Sequence, residues 1–225
     1  MNIVPLKREL DTEPMSAQQS ELVQRLERLT KRSALRITTP VNSVELFRAE
    51  STTQLLPAVY QPCLCFVAQG SKRALLDGVF YVYDPLHYLV VSTTMPVCAE
   101  ITDASVAKPY LALLIKIDTA EIASLVSDRI KANNSTQNSA KNNKQSSRAL
   151  YSAAMKEPML DVILRLVRLL DNPQDCAVLA PLALREVYYR ALTDDLGERL
   201  QQLVVTDSYA QRVGRALELL RSQYH

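Results

Sequence analysis

Glycine and histidine are scarce in this chain, and their scarcity narrows the chemistry it can support. The 225 residues include only four glycines and two histidines. Glycine-rich phosphate loops and the GxSxG turn of hydrolases need closely spaced glycines, which do not occur here. Barrel enzymes that hold iron, manganese or zinc use several imidazole and carboxylate ligands, whereas this chain offers only His87 and His225. Neither catalysis nor a bound metal is expected, and no cofactor is predicted.

Long apolar runs and a strong excess of one charge are also missing. No apolar run reaches the ~20 residues of a membrane span, and the N-terminus lacks the apolar stretch of a secretion signal. The net charge of +2 is too small to indicate nucleic-acid binding by this segment. The four cysteines show no CxxC spacing, so buried thiols in a reducing compartment are expected. These features predict a cytoplasmic protein with no membrane partner.

Residues 34–118 have the pattern of a β-barrel. Eight short runs rich in β-branched and aromatic residues are predicted as strands: Ala34–Thr39, Val44–Ala49, Ala58–Gln69, Lys72–Leu76, Val79–Tyr83, Tyr88–Ser92, Val97–Thr102 and Tyr110–Ile117. The stretch between Pro62 and Gly70 predicts a strand buried on both faces. Asp77-Gly78 favours a two-residue hairpin turn, since both positions can take positive φ. Short antiparallel strands with tight turns indicate a barrel or double-sheet jelly roll.

Helices are predicted on both sides of this barrel, which makes the fold class α+β. Residues 1–33 are predicted as an arm and an amphipathic helix, Ala17 to Lys31, and residues 119–131 as a second helix after a capping box at Asp118. Residues 132–149 carry almost no large apolar side chains and are predicted as a flexible polar loop. Residues 150–225 are predicted to be wholly helical. The helices expected there begin at Pro158 and Pro181 and continue with Glu198–Val205 and Ser208–Tyr224.

The helix that begins at Pro158 is apolar over most of its circumference, so it must be covered on more than one side. One explanation is that it is sandwiched inside the subunit, and the other is that it meets a second copy in a two-fold homodimer. The candidate dimer-interface residues are Leu160, Ile163, Leu164 and Val167.

The order and spacing of several segments resemble the N-terminal domain of AraC-type transcriptional regulators, in the branch with a cupin-like regulatory domain. The resemblance is centred on Tyr60–Arg73, YQPCLCFVAQGSKR, and covers most of residues 34–224. Further matching segments are MPVCAEITDAS, PYLALLIKID, PMLDVILRLVRLLDNPQD, VLAPLALREVYYRAL and SYAQRVGRALELLRSQY. In that bacterial-type family such a domain precedes a DNA-binding domain with two helix-turn-helix units. This chain is expected to end where that domain would begin, so DNA binding is expected only through the missing C-terminal domain.

The resemblance implies a sensor whose barrel encloses a small-molecule effector and whose helices carry dimerisation. Strand alternation places Cys63, Cys65, Val67 and Gln69 on one face of the central strand, but does not decide which face points inward. The candidate ligand-binding residues are Cys65, Val67, Tyr88, Val90 and Tyr110. The alternatives are that these side chains fill a solid core, that the barrel is a ligand-free interaction module, or that the chain is a cupin-like metal-binding protein or enzyme.

Overall fold

The computed structural model describes residues 16–31, 36–133, 150–194 and residue 200. These residues form four helices: Ala17–Thr30 (α1), Thr119–Asn133 (α2), Glu157–Leu169 (α3) and Pro173–Thr193 (α4). They also form ten strands: Arg36–Thr38 (β1), Val44–Ala49 (β2), Leu56–Tyr60 (β3), Cys63–Gln69 (β4), Ser71–Leu76 (β5), Val79–Tyr83 (β6), His87–Val91 (β7), Met95–Asp103 (β8), Tyr110–Lys116 (β9) and Leu150–Ala154 (β10). The predicted N-terminal arm, nearly all of the predicted polar loop, and the predicted helices Glu198–Val205 and Ser208–Tyr224 lie outside the described residues, Leu200 excepted.

The strands form two antiparallel sheets. The larger sheet has the order β1-β2-β9-β4-β7-β10, and the smaller has the order β3-β8-β5-β6. Without β1 and β10, the two sheets have the strand orders β2-β9-β4-β7 and β3-β8-β5-β6, which are those of a jelly roll, the architecture of cupins. The predicted α+β fold with a cupin-like barrel is therefore confirmed.

The chain changes sheets at two corners on either side of β4. The predicted strand Ala58–Gln69 is in fact two strands, because the chain turns at Pro62 and leaves the smaller sheet for the larger one. At the other end of β4, Gly70 has a φ of 78° and leads into β5 of the smaller sheet. A Cβ atom at Gly70 would lie 2.4 Å from the carbonyl oxygen of Asp103, so only glycine fits this corner.

Local sequence signals set the turns and helix starts. Asp77 and Gly78 have φ values of 49° and 77° and join β5 to β6, as the predicted hairpin requires. The Ser16 hydroxyl accepts a hydrogen bond from the Gln19 backbone N–H at 3.2 Å, which caps α1. The Asp118 carboxylate accepts from the backbone N–H groups of residues 120 and 121 and caps α2.

Two hydrophobic clusters meet at β4, which is buried on both of its faces as predicted. Leu64 and Phe66 pack in the cluster between the larger sheet and the helices. Cys63 and Val67 pack in the cluster between the two sheets. The helical layer and the barrel interior therefore share one strand as their common wall.

The prediction that residues 150–225 are wholly helical is wrong at residues 150–154, and one predicted helix begins earlier than expected. Residues 150–154 form β10, which pairs antiparallel with β7 and closes one edge of the larger sheet. The helix predicted to begin at Pro181 begins instead at Pro173, because the Asn172 side chain accepts from the Gln174 backbone N–H at 3.3 Å. Pro181 lies inside α4 on an exposed face.

Helix α3 is sandwiched inside the subunit. It packs against α1 and α4 and belongs to the cluster beneath the larger sheet. The four candidate interface residues are buried by contacts within one chain: Leu160, Ile163, Leu164 and Val167. Of the two explanations for this helix, internal burial is the one that the structure shows, because tertiary packing surrounds the apolar circumference.

Gly70 and Gly78 are a matched pair for mutation, because both have positive φ. An added Cβ atom would clash with a backbone atom at Gly70 but would meet nothing within 4 Å at Gly78. Gly78→Ala should lower the free energy of unfolding by about 1 kcal/mol, the cost of an alanine in the left-handed region. Gly70→Ala should lower it by about 2–4 kcal/mol, because overpacking adds to that cost. Urea titration followed by circular dichroism measures both values, and equal losses would contradict the tight corner.

Leu164 of α3 is fully buried, whereas Leu182 of α4 is 62% exposed. Leu164→Ala should lower the free energy of unfolding by about 2–5 kcal/mol, since it leaves a cavity. The matched control Leu182→Ala should change it by no more than about 0.5 kcal/mol. The same urea titration tests this, and a neutral Leu164→Ala would argue against burial of α3 within the subunit.

Candidate ligand-binding cavity

A cavity of about 510 Å³ lies between the two sheets, at the end of the barrel where β3 turns into β4. Strands of both sheets and the connections after β3 and β9 supply its walls: Arg36, Glu45, Phe47, Val59, Tyr60, Gln61, Pro62, Cys63, Cys65, Lys72, Tyr83, Leu89, Tyr110, Leu114, Lys116, Ile117 and Thr119. Its size falls within the range of about 300–1,000 Å³ that is usual for small-molecule sites. The barrel interior is therefore not packed solid.

Three tyrosines contribute hydroxyl groups to the cavity wall, in addition to Thr119. The hydroxyls of Tyr60 and Tyr83 lie 2.9 Å apart and share a hydrogen bond. The Tyr110 hydroxyl shares a hydrogen bond with the Cys65 thiol. Burial raises the pKa of Tyr83 and of Tyr110 well above the ordinary value, so both phenols stay neutral at physiological pH. They can bind a polar ligand group by hydrogen bonds and do not carry negative charge.

The two cavity thiols are also neutral. Burial raises the pKa of Cys65 to about 11, although the nearby Lys72 opposes this shift. Burial and the neighbouring Cys65 raise the pKa of Cys63 well above its usual range. Because the thiolate is the nucleophilic form, these cysteines act as small apolar lining groups at physiological pH.

Lys72 places a cation on the inner face of the smaller sheet. It lies two residues before the fully buried Ala74, so both share the face that points into the barrel. Its neighbour Arg73 takes the opposite face, where it pairs with Glu100 at 2.5 Å. The Lys72 Nζ lies 5.6 Å from the centroid of the Tyr60 ring, within the range of a cation–π contact.

A second group of charges is centred on Glu45, whose side chain is only 4% exposed. The guanidinium of Arg36 and the amine of Lys116 contact its two carboxylate oxygens at 2.8 and 2.9 Å. The hydrogen bond from Arg36, with help from Lys116, holds the pKa of Glu45 below its usual value against the effect of burial. This group therefore stabilises the fold at neutral pH and loses that contribution as the pH falls and Glu45 is protonated.

The structure brings two of the five candidate ligand-binding residues to the cavity. Cys65 and Tyr110 line it, whereas Val67 packs between the sheets without lining it. Tyr88 and Val90 lie on the other face of the larger sheet, against the helical layer. A direct role in the cavity for these last two is therefore not supported by their position, and ligand contact by Cys65 and Tyr110 stays a prediction.

The position of Tyr88 and Val90 follows from the pairing of β4 with β7. Cys65 is opposite Leu89 and Leu64 is opposite Val90, and residues directly opposite one another share a face. Leu89 therefore joins Cys65 at the cavity, and its two neighbours turn away. Nothing in the local sequence of β7 specifies this register.

Sequence reasoning missed the charged residues and two of the tyrosines of the cavity: Arg36, Glu45, Tyr60, Lys72, Tyr83 and Lys116. For Lys72 and Tyr83 a signal was present. The hairpin turn at Asp77-Gly78 fixes the pairing of β5 with β6, which sets these two residues opposite each other. Ala74 is a small apolar residue that indicates the inner face of β5, and Lys72, two residues earlier, lies on the same face.

Other candidate chemistry is not assembled at this site. The His87 Nδ1 lies 3.0 Å from an Asp84 carboxylate oxygen at a tight turn, so this histidine is hydrogen-bonded locally. Among the described residues, no three His, Cys, Asp or Glu side chains lie close enough together to hold a metal ion. None of the described helices is long and apolar enough to cross a membrane.

The raised thiol pKa values predict slow alkylation. At pH 8, iodoacetamide should modify Cys98, on the outer face of the smaller sheet, faster than Cys63 or Cys65, because the raised pKa of these two cavity thiols keeps them protonated. The rate at Cys65 should rise as the pH approaches 11, because the thiolate fraction grows with pH. Mass spectrometry of the labelled peptides measures the rates. Equal labelling of Cys65 and Cys98 at pH 8 would contradict the raised pKa of Cys65.

Solved structures with a similar chain path include two of ToxT from Vibrio cholerae strain SCE256. The apo K231A form has a TM-score of 0.43 and 11% identity, with 74% of this chain and 65% of that chain covered. The wild-type form bound to an unsaturated fatty acid has a TM-score of 0.44 and 12% identity, with 73% and 62% covered. The AraC-like transcriptional activator CuxR has a TM-score of 0.31 and 9% identity, with 73% and 51% covered.

The present chain thus spans less than two thirds of the length of each of these structures. No curated protein matches its sequence. The model of one protein family, the AraC-type transcriptional regulator N-terminus, matches residues 40–199, which is more than half of the chain and includes the barrel, α3 and α4. With the jelly-roll barrel, the cavity between its sheets and the helical layer in place, the chain belongs to the family of AraC-type transcriptional regulator N-terminal domains.

Proposed function

We propose that this chain is the effector-sensing domain of an AraC-type transcriptional regulator and that its effector is a small molecule bound between the two sheets. The observation that carries the proposal is the cavity of about 510 Å³, walled by both sheets and lined by apolar side chains with a few polar groups. Concave, mostly apolar pockets with a few convergent polar groups are typical of small-molecule sites.

The structure offers a physical connection between this cavity and the helices. Leu89 lines the cavity, and the adjacent Tyr88 turns to the helical face, where its hydroxyl donates to the Asp194 carboxylate at 3.2 Å. Asp194 is the C-cap of α4 and also pairs with Lys156, the N-cap of α3. A ligand that shifts Leu89 would therefore move a strand to which the ends of two helices are tied.

The partners that we propose beyond the effector are a second copy and DNA. We propose a homodimer that uses a surface other than the buried face of α3, since Leu160, Ile163, Leu164 and Val167 are covered within the subunit. Contact with DNA is proposed to belong to a separate DNA-binding domain of the regulator, acting in the cytoplasm.

Thermal shift with a library of small apolar and amphipathic compounds tests ligand binding. A ligand at about 100 times its Kd stabilises the folded chain by about 2.7 kcal/mol, which raises the Tm by about 5–10 °C for a domain of this size. At least one compound should give such a shift and should show one-site binding by calorimetry.

A cavity-filling variant locates the site. Leu114→Trp should abolish the ligand-induced shift, because half-buried Leu114 points into the cavity. Leu75→Trp is the matched control, since Leu75 is also half-buried but lies on the outer face of the smaller sheet, opposite Phe80. Equal shifts in both variants would place the ligand elsewhere, and a library without any stabilising compound would argue against the sensor.

A further inference from the structure

The charges around the cavity are unevenly compensated. Among the described residues, three cationic side chains and one carboxylate line it, which gives a formal charge of +2. Arg36 and Lys116 share Glu45, as described above. Lys72 has no carboxylate or other hydrogen-bonding partner among the described residues, and its charge faces only the ring of Tyr60. A cation held against apolar walls is stabilised by a counter-ion, so this position favours an anion.

The tyrosine pair beside Lys72 has one hydroxyl proton that the contact between the two tyrosines does not use. Lys72 lies directly opposite Tyr83 in the β5–β6 pairing. In the Tyr60–Tyr83 contact one hydroxyl donates and the other accepts, so the accepting hydroxyl keeps a proton with no further partner in the described part of the chain. Both tyrosines line the cavity. An ammonium and an O–H donor on neighbouring strands are a suitable pair of ligands for a carboxylate.

The remainder of the cavity is suited to the apolar part of such a molecule. Phe47, Leu89, Leu114 and Ile117 contribute aliphatic and aromatic surface, and the thiols of the larger sheet stay uncharged. A highly polar ligand such as a free sugar would leave this surface without apolar contacts. A ligand with several negative charges would exceed the single cation available at Lys72.

We infer that the effector is an amphipathic organic monoanion, with its carboxylate-like group bound by Lys72 and the Tyr60–Tyr83 hydroxyl pair and its apolar body among Phe47, Leu89 and Leu114. This inference rests on the proposed function and specifies its ligand class. Lys72 is then the residue that distinguishes an acid from a neutral molecule of the same shape.

Calorimetry with the full chain and matched acid–amide pairs tests the assignment. The probes are decanoate with decanamide and 2-naphthoate with 2-naphthamide, because each pair has the same apolar body and differs in charge. At least one acid should bind about tenfold to a hundredfold more tightly than its amide, the range expected of a charge-assisted hydrogen bond.

Three variants assign that preference to one side chain. Lys72→Met should remove the preference for the acid, because it should raise the Kd of the acid about tenfold or more and leave the Kd of the amide unchanged. Lys72→Arg keeps the positive charge and should retain most of the preference for the acid. Lys108→Met is the matched control, because Lys108 is exposed and lies outside the cavity, so binding should not change. Thermal melting of each variant confirms that it is folded, and Lys72→Met should remain stable because Lys72 forms no ion pair with any residue that the structure describes.

Two results would overturn the inference: an amide that binds as tightly as its acid to the wild-type chain, or an acid preference that survives in Lys72→Met. In both cases ligands still enter the cavity, so the sensor function would stand. If none of the four probes binds while neutral library compounds still stabilise the chain, the ligand class is wrong and the function is right. If neither the probes nor the library compounds bind, both the ligand class and the proposed sensor function are wrong.

Discussion

The burial of β4 on both faces is the constraint on which the rest of this structure depends. A strand that is covered on one face by helices and on the other by a second sheet cannot shift without disturbing both hydrophobic clusters. The corners at Pro62 and Gly70 hold its ends, and β7 and β9 hold its sides. The cavity is therefore bounded by a wall that is rigid for reasons unrelated to ligand binding, which is how a pre-formed pocket is maintained.

The charged residues at the cavity illustrate two different uses of a cation beside a ligand-sized pocket. Around Glu45 the charges are paired within the chain, and removing either cation would leave a nearly inaccessible carboxylate less well compensated. Lys72 lacks such a partner in the described structure, so its charge adds nothing evident to folding. A charge that the fold does not use is available to bind an anionic ligand group. The neutral tyrosines and thiols around Lys72 keep the local field positive.

Local signals in the sequence were sufficient to predict much of the fold. The positive φ of Asp77-Gly78, the caps at Ser16 and Asp118, and the apolar run of β4 each depend on neighbours within a few residues. The cavity could be predicted only in part, because which residues line it depends on register between strands far apart in the chain. Tyr88 and Val90 are the clearest case, since one residue of slip between β4 and β7 exchanges them with Leu89. In α3 the sequence left internal burial and dimerisation equally open, because apolar residues do not specify what covers them.

The corner at Gly70 also bears on how a domain of this kind can change over evolutionary time. Because no side chain fits beside the Asp103 carbonyl, this junction between the sheets leaves almost no room for substitution. Inner-face residues such as Leu114 are only half-buried and border empty space, so they can vary in size at little cost to folding. Selection for a new effector can therefore act on the lining of the barrel while its frame stays constant, and single substitutions are enough to begin that change.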